Sequence, residues 1–242
     1  MTENDPLNDT QPSGARARLA NFPGTASLVA LGAGIGGPPA IQEILKPLRG
    51  PLPPILLVQQ LEREYERGFV AWLDDSTELH VRLAASGDQL LPGHVYVAPY
   101  HGQLVLTPSW QIEIDATGTS SESKRRIDGL LESVADHAGP EAVGVVLTGI
   151  GSDGARGLLA MRARGCTTIA QTEGSSVVPS MPRAAVDSGA ARLTATPEEI
   201  AGFLAFLTWV APGRTEGAPG ARADAGDRLE LRPAEARSVA PV

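Results

Sequence analysis

The sequence predicts an α/β protein, a doubly wound and mostly parallel sheet with helices on both faces. Three observations carry this. Short continuous apolar runs recur along the chain, amphipathic segments with helical spacing separate them, and two of the runs stop at glycine-rich turns, after Leu31 and after Leu147. Strands buried on both faces read as unbroken apolar runs, and parallel neighbours need a crossover, usually a helix, between them.

The elements follow in order. Residues 26–31 (ASLVAL) make a buried strand that ends at glycines. Pro38 and Pro39 open a helix, where a missing N–H costs little. Ile41, Ile44, Leu45 and Leu48 then fall on one face of it. Residues 54–58 (PILLV) are a second buried strand, and Tyr65, Phe69, Trp72 and Leu73 stripe the helix after it. Short strands are expected at 79–83, 94–98, 103–106 and 110–114, divided by turn residues such as Pro92-Gly93. Ile127, Leu130, Leu131 and Val134 stripe another helix; a strand at 143–147, a helix at 155–164 and a strand at 166–170 come next. Thr196-Pro197-Glu198-Glu199 is a capping box with proline at the first helical position, opening a helix expected to reach about Val210. Residues 1–22 and 211–242 are polar, proline-rich or glycine-rich without periodicity. They are expected to be disordered tails around one domain, 23–210, because such compositions bury too little apolar surface to offset chain entropy.

Composition narrows the function. The 242 residues carry 28 acidic and 20 basic side chains, a net charge of −8, which argues against a nucleic-acid partner recognised through its phosphates. No apolar run reaches the roughly 18–20 residues of a membrane span, so no membrane insertion is expected. The polar N-terminus lacks the pattern of a signal peptide. The single cysteine, Cys166, excludes an internal disulfide framework and a cysteine-built zinc site, and a cytoplasmic location follows. Neither a metal nor a cofactor is called for.

Three motifs sit where such sheets bind ligands, at the carboxyl ends of the strands. Gly32-Ala33-Gly34-Ile35-Gly36-Gly37 satisfies G-x-G-x-x-G between a strand and a helix, the pattern of a pyrophosphate turn using Gly32, Gly34 and Gly37. Glu62 is the nearest candidate for a ribose-binding acid, but the second strand ends in Gln59-Gln60. The alternative is a tight strand-to-helix turn. In Leu147-Thr148-Gly149-Ile150-Gly151-Ser152-Asp153-Gly154 an acid stands between glycines just before a helix. Asp153 there can orient a histidine, bind a cation or cap the helix. Residues 170–176, with Met181-Pro182-Arg183-Ala184-Ala185, form an ordered loop leading into a helix.

Taken together, GAGIGGPPAI (32–41), VQQL (58–61), LLPGHVYVAP (90–99), SVADHAG (133–139), AVGVVLTGIGSDGARGLLAM (142–161) and TIAQTEGSSVVPSMPRAAVDSGA (168–190) resemble the catalytic domain of CheB-type protein-glutamate methylesterases of bacterial chemotaxis, from about Ala26 to Leu207. The resemblance implies the doubly wound fold of that family and a reaction that removes methyl esters from chemoreceptor glutamates by a Ser-His-Asp arrangement, releasing methanol. Residue by residue, the carry-over is incomplete. The family serine of G-A-S-x-G-G falls on Gly34, and the histidine of Q-H-M falls on Gln60. Only the aspartate of T-G-M-G-x-D-G is kept, as Asp153. The resemblance places Ala33, Ile35, Gly36, Ile150 and Met181 around the ligand, with Ile150 where the family carries methionine. Tyr100-His101-Gly102-Gln103 and Lys124-Arg125-Arg126-Ile127-Asp128 also depart from the pattern. About twenty tail-like residues precede the domain, so a receiver domain is not expected.

Glycine has no side chain to attack with, and an amide has no basic site near neutral pH. Ser27 lies inside a strand, Ser152 neighbours Asp153 at a place where the family tolerates many residues, and Ser175, Ser176 and Cys166 show no evident base partner. Of the histidines, His80 and His94 are expected at strand ends, His137 at a helix end and His101 in a loop near the sheet edge. The expected function is a catalytically impaired methylesterase domain that binds a chemoreceptor, a chemotaxis kinase or a methyltransferase. Here Gly34 is expected to open backbone N–H groups to a carboxylate, ester or amide. The alternatives are an active hydrolase with relocated groups, a rebuilt triad on His101 among them, and a dinucleotide-binding protein.

Overall fold

The computed structural model describes residues 24–116 and 125–212; the expected tails fall outside these residues except at Ala211 and Pro212. Among the described residues the strands are β1 (Thr25–Ala26), β2 (Leu28–Ala33), β3 (Ile55–Gln59), β4 (His80–Leu83), β5 (His94–Val97), β6 (Gln103–Leu106), β7 (Ile112–Asp115), β8 (Ala142–Val146), β9 (Thr167–Gln171), β10 (Leu193–Ala195) and β11 (Thr208–Trp209). The α-helices are α1 (Gly37–Leu45), α2 (Arg63–Ser76), α3 (Arg126–His137), α4 (Ala155–Ala163), α5 (Ser180–Asp187) and α6 (Pro197–Ala205).

Seven strands form one sheet in the order β10-β9-β8-β2-β3-β5-β4, every neighbouring pair parallel. From β2 the chain winds outward through β3, then crosses back to lay β8 on the other side of β2. The topological switch point therefore lies between the carboxyl ends of β2 and β8. Strands β6 and β7 form an antiparallel hairpin apart from this sheet, and β1 pairs with β11.

The alternation of strand side chains feeds two cores, one on each face. Val29, Leu31, Ile55 and Leu57 meet α1, α2 and α6 through Ile41, Ile44, Phe69, Leu73, Ile200 and Phe203. Leu28, Ala30, Leu56 and Val58 meet α3, α4 and α5 through Ile127, Leu130, Leu131, Leu158, Met161 and Met181. Each fully buried leucine among them contributes about 1.5–3 kcal/mol. Because β2 is central and covered on both faces, all six of its residues are buried. A Cβ on Gly32 would lie 2.1 Å from Ile127 Cγ2, so glycine there lets the start of α3 press onto the carboxyl end of β2.

Three expectations are corrected. The strand read at 26–31 is split at Ser27, whose N–H donates to the Glu141 carbonyl at 3.0 Å; Ala26 belongs to β1 and β2 begins at Leu28. The last helix ends at Ala205 instead of near Val210. The chain turns there so that Thr208 N–H donates to Gly24 O and Val210 N–H to Ala26 O, and β-branched Thr208 and Val210 suit that ladder. On α2, Phe69 and Leu73 are buried, whereas Tyr65 and Trp72 are 59% and 39% exposed, so its stripe is narrower than the sequence suggests. The sequence reading also lacks β10, a three-residue edge strand.

Candidate functional site

The carboxyl ends of β2, β3 and β8 bring Gly34, Gln60 and Asp153 together. Gly34 follows β2 and donates its N–H to the Thr148 carbonyl at 2.9 Å. Gln60 follows β3 and is held by its own N–H, which donates to Ala33 O at 2.9 Å. Its side-chain Nε2 donates to Asp153 Oδ2 at 2.8 Å. The other end of the amide, Oε1, lies 2.9 Å from the point where a Cβ on Gly34 would stand. An ionised carboxylate only accepts hydrogen bonds, so the Gln60 NH₂ must face Asp153 and its oxygen must face Gly34.

Asp153 is buried and fully engaged. Its Oδ2 also accepts from Ile127 N–H at 3.2 Å and its Oδ1 from Asp128 N–H at 2.9 Å, both in the first turn of α3. Asp128, wholly buried, answers in kind. Its Oδ1 accepts from Gly154 N–H at 2.9 Å and Gly157 N–H at 2.8 Å, at the start of α4. Each acid thus satisfies orphan amides of the other's helix, where negative charge is favoured. Glycine at 157 is required by this crossing, since a Cβ would lie 2.6 Å from Asp128 O. Burial pushes the Asp153 carboxyl above the ordinary carboxylate range; the amides of Asp128 and Ile127 pull against that and do not overcome it.

Below Gly34 lies a tight floor. Its Cβ position is 3.1 Å from Gly149 Cα and 3.4 Å from Met181 Sδ. Thr148 Oγ1 ties the two loops together: it is 2.9 Å from Ile35 O and accepts from Val178 N–H at 2.9 Å. Around the mouth stand three aliphatic side chains, Ile35, Ile150 and Val177, which are 56%, 61% and 68% exposed. Beside the site a small open depression is lined by Gln59, Glu66, Phe69, Tyr100 and Arg126, among others. Arg126 Nη2 donates to Pro99 O and to Gly102 O, and burial lowers the pKa of its guanidinium.

The fold gathers Gly34, Gln60, Asp153, Gly36 and Met181, and sets Ile35 and Ile150 at the rim. Two expectations change. Ala33 is fully buried with its carbonyl bound to Gln60, so it positions Gln60 instead of facing a ligand. The Gly34 N–H is spent on Thr148; what Gly34 leaves open is its Cα face. The pyrophosphate pattern gains no support, because its glycines have packing reasons: Ile127 against Gly32, Gly149 against Gly34 and Gln59 Oε1 against Gly37. Glu62 is exposed at the start of α2. Ser152 and His101 are exposed, Ser175 Oγ is paired with Thr172, and Cys166 is a buried thiol pushed up to about 11 by burial. Among the described residues the donors to Asp153 are Gln60 and two backbone amides, and no histidine joins them. Sequence reasoning missed Thr148, Gln59 and the capping role of Asp128. Asp128 had a signal, an acid in the first turn of a helix, but nothing local says that it serves a different helix.

The three positions singled out by the motifs thus meet at one place, as Gly34, Gln60 and Asp153. The CheB methylesterase family model matches residues 29–204. The chain belongs to the CheB methylesterase family. A protein-glutamate methylesterase/protein-glutamine glutaminase of Geobacter metallireducens is 41% identical over 191 residues, 78% of this chain and 55% of that protein. Protein-glutamate methylesterase FrzG of Myxococcus xanthus is 39% identical over 202 residues, 83% of this chain and 60% of that one. The chain therefore spans little more than half the length of these CheB relatives. The CheB methylesterase catalytic domain of Thermotoga maritima superposes with a TM-score of 0.70 at 27% identity, covering 75% of this chain and 98% of that one. Among the described residues no helix is long and apolar enough to cross a membrane.

Proposed function

We propose that this is a catalytically impaired CheB-type domain, a cytoplasmic module that holds a chemoreceptor segment at its site without cutting it. One observation carries the reading: Gln60 Oε1 faces the bare Cα of Gly34 while Gln60 Nε2 is bound to Asp153. Ester hydrolysis by the family route needs a hydroxyl to attack and a base to take its proton. The chain offers neither at those positions. The carbonyl of Gln60 can orient a water or accept from a ligand, but it cannot hold a proton near neutral pH. Binding chemistry remains, from an aliphatic rim over a small polar cleft. A chemotaxis kinase or methyltransferase is a less direct partner, since the site is shaped by a family that acts on receptors.

The test is methanol release from a methylated receptor, with an intact relative such as the Thermotoga maritima domain assayed beside it. Turnover at least about 10⁴-fold lower than the relative is expected, on the scale of losing a nucleophile and its base together. A serine-reactive phosphonate should leave the chain unlabelled by mass spectrometry. Turnover within about tenfold of the relative, or a single stoichiometric phosphonate adduct, overturns the reading.

A further inference from the structure

His80 and His94 open two neighbouring parallel strands, β4 and β5, and stand directly opposite one another in the register. Their ring centroids are 4.9 Å apart, with the planes 41° from parallel. We propose that this pair is a binding site for a divalent late transition-metal ion, of the class that imidazole nitrogens hold best, with zinc or copper as the type.

Three features support it. First, the register sets the two imidazoles side by side on one face of neighbouring strands, close enough for one ion about 2.0–2.1 Å from a nitrogen of each to bridge them. Second, His94 Nδ1 is 3.1 Å from the Pro92 carbonyl. A carbonyl only accepts, so Nδ1 carries the proton and Nε2 presents its lone pair. A backbone carbonyl behind the ring is the usual outer support of a metal-binding histidine. Third, Arg82, two residues along β4 from His80, is already neutralised: it is paired with Asp88 at 2.8 Å and lies over the Tyr96 ring at 4.9 Å. Among the described residues no hydrogen bond occupies the His80 ring, and no third His, Cys, Asp or Glu completes a cluster, so water fills the other positions of the ion. The ion ties the edge strand of the sheet to its neighbour.

The full chain is titrated with Zn²⁺ alone by calorimetry. One equivalent should bind, Cu²⁺ should bind more tightly than Zn²⁺, and the ion should raise the melting temperature. His80→Ala and His94→Ala should each weaken binding at least about tenfold, the double variant little more than either, and His137→Ala by less than about twofold. If His94→Ala does not fold, the exposed His80 carries the test alone. No saturable heat up to about 1 mM Zn²⁺, or binding unchanged by His80→Ala, overturns the proposal.

Discussion

On one side of Gln60 stands Asp153, buried, with both oxygens engaged by the first turn of α3 and its neighbour Asp128 bound in return to the first turn of α4. On the other side stands Gly34, a bare backbone position under an exposed aliphatic rim. The two halves of one site thus obey different constraints. A side chain that also satisfies two buried amides cannot be exchanged without leaving those amides unpaired. A hydroxyl or an imidazole projecting into a cleft holds up nothing else. The presence of the acid is then a statement about folding, and by itself it is poor evidence of esterase activity.

Four experiments break or sharpen that contrast. The largest effect is expected from refilling the open half. Gly34→Ser with Gln60→His should raise methanol release at least about 100-fold over the starting chain, whereas either change alone stays within a few-fold, because nucleophile and base act as a unit. The serine must settle 3.1 Å from Gly149 Cα, and removing Gln60 clears its other obstacle. A folded double variant with no gain would show that the cleft has changed beyond these two side chains.

The acid half answers to stability. Asp153→Ala should cost about 2–4 kcal/mol in urea unfolding, two buried amides losing their acceptors. A cost below about 0.5 kcal/mol would remove the structural reading of this residue. Asp153→Asn keeps the shape and one acceptor, and should cost about 1–2 kcal/mol by the same measurement.

The smallest effect is one of pH. Burial raises the Asp153 carboxyl above its unfolded value. Between the two values the folded chain binds more proton than the unfolded one, so this group's contribution is fullest below the unfolded value. It declines as pH rises through the folded one. The stability of the wild type relative to Asp153→Asn should therefore shrink with rising pH across that window. A difference that grows would mean that the amide hydrogen bonds outweigh burial.

Much of this was legible in the sequence. Unbroken apolar runs such as residues 55–58 marked the central strands, and the capping box at Thr196 and Glu199 is present as read. Motifs fix positions along a chain, and Gly34, Gln60 and Asp153 meet in space as those positions imply. What escaped were pairings across distance. Nothing near Thr208 announces that it will join Thr25, and nothing near Asp128 announces Gly154 and Gly157. Ala33 was misjudged for a related reason: its place in a motif says that it is near the site, but not that its carbonyl is already taken by Gln60.

The short ladder between β1 and β11 has a consequence of its own. Thr208 and Val210 donate to Gly24 and Ala26, so the first and last described strands are buckled to one another at a single corner. Removing either of these two short strands leaves the other without its ladder partner.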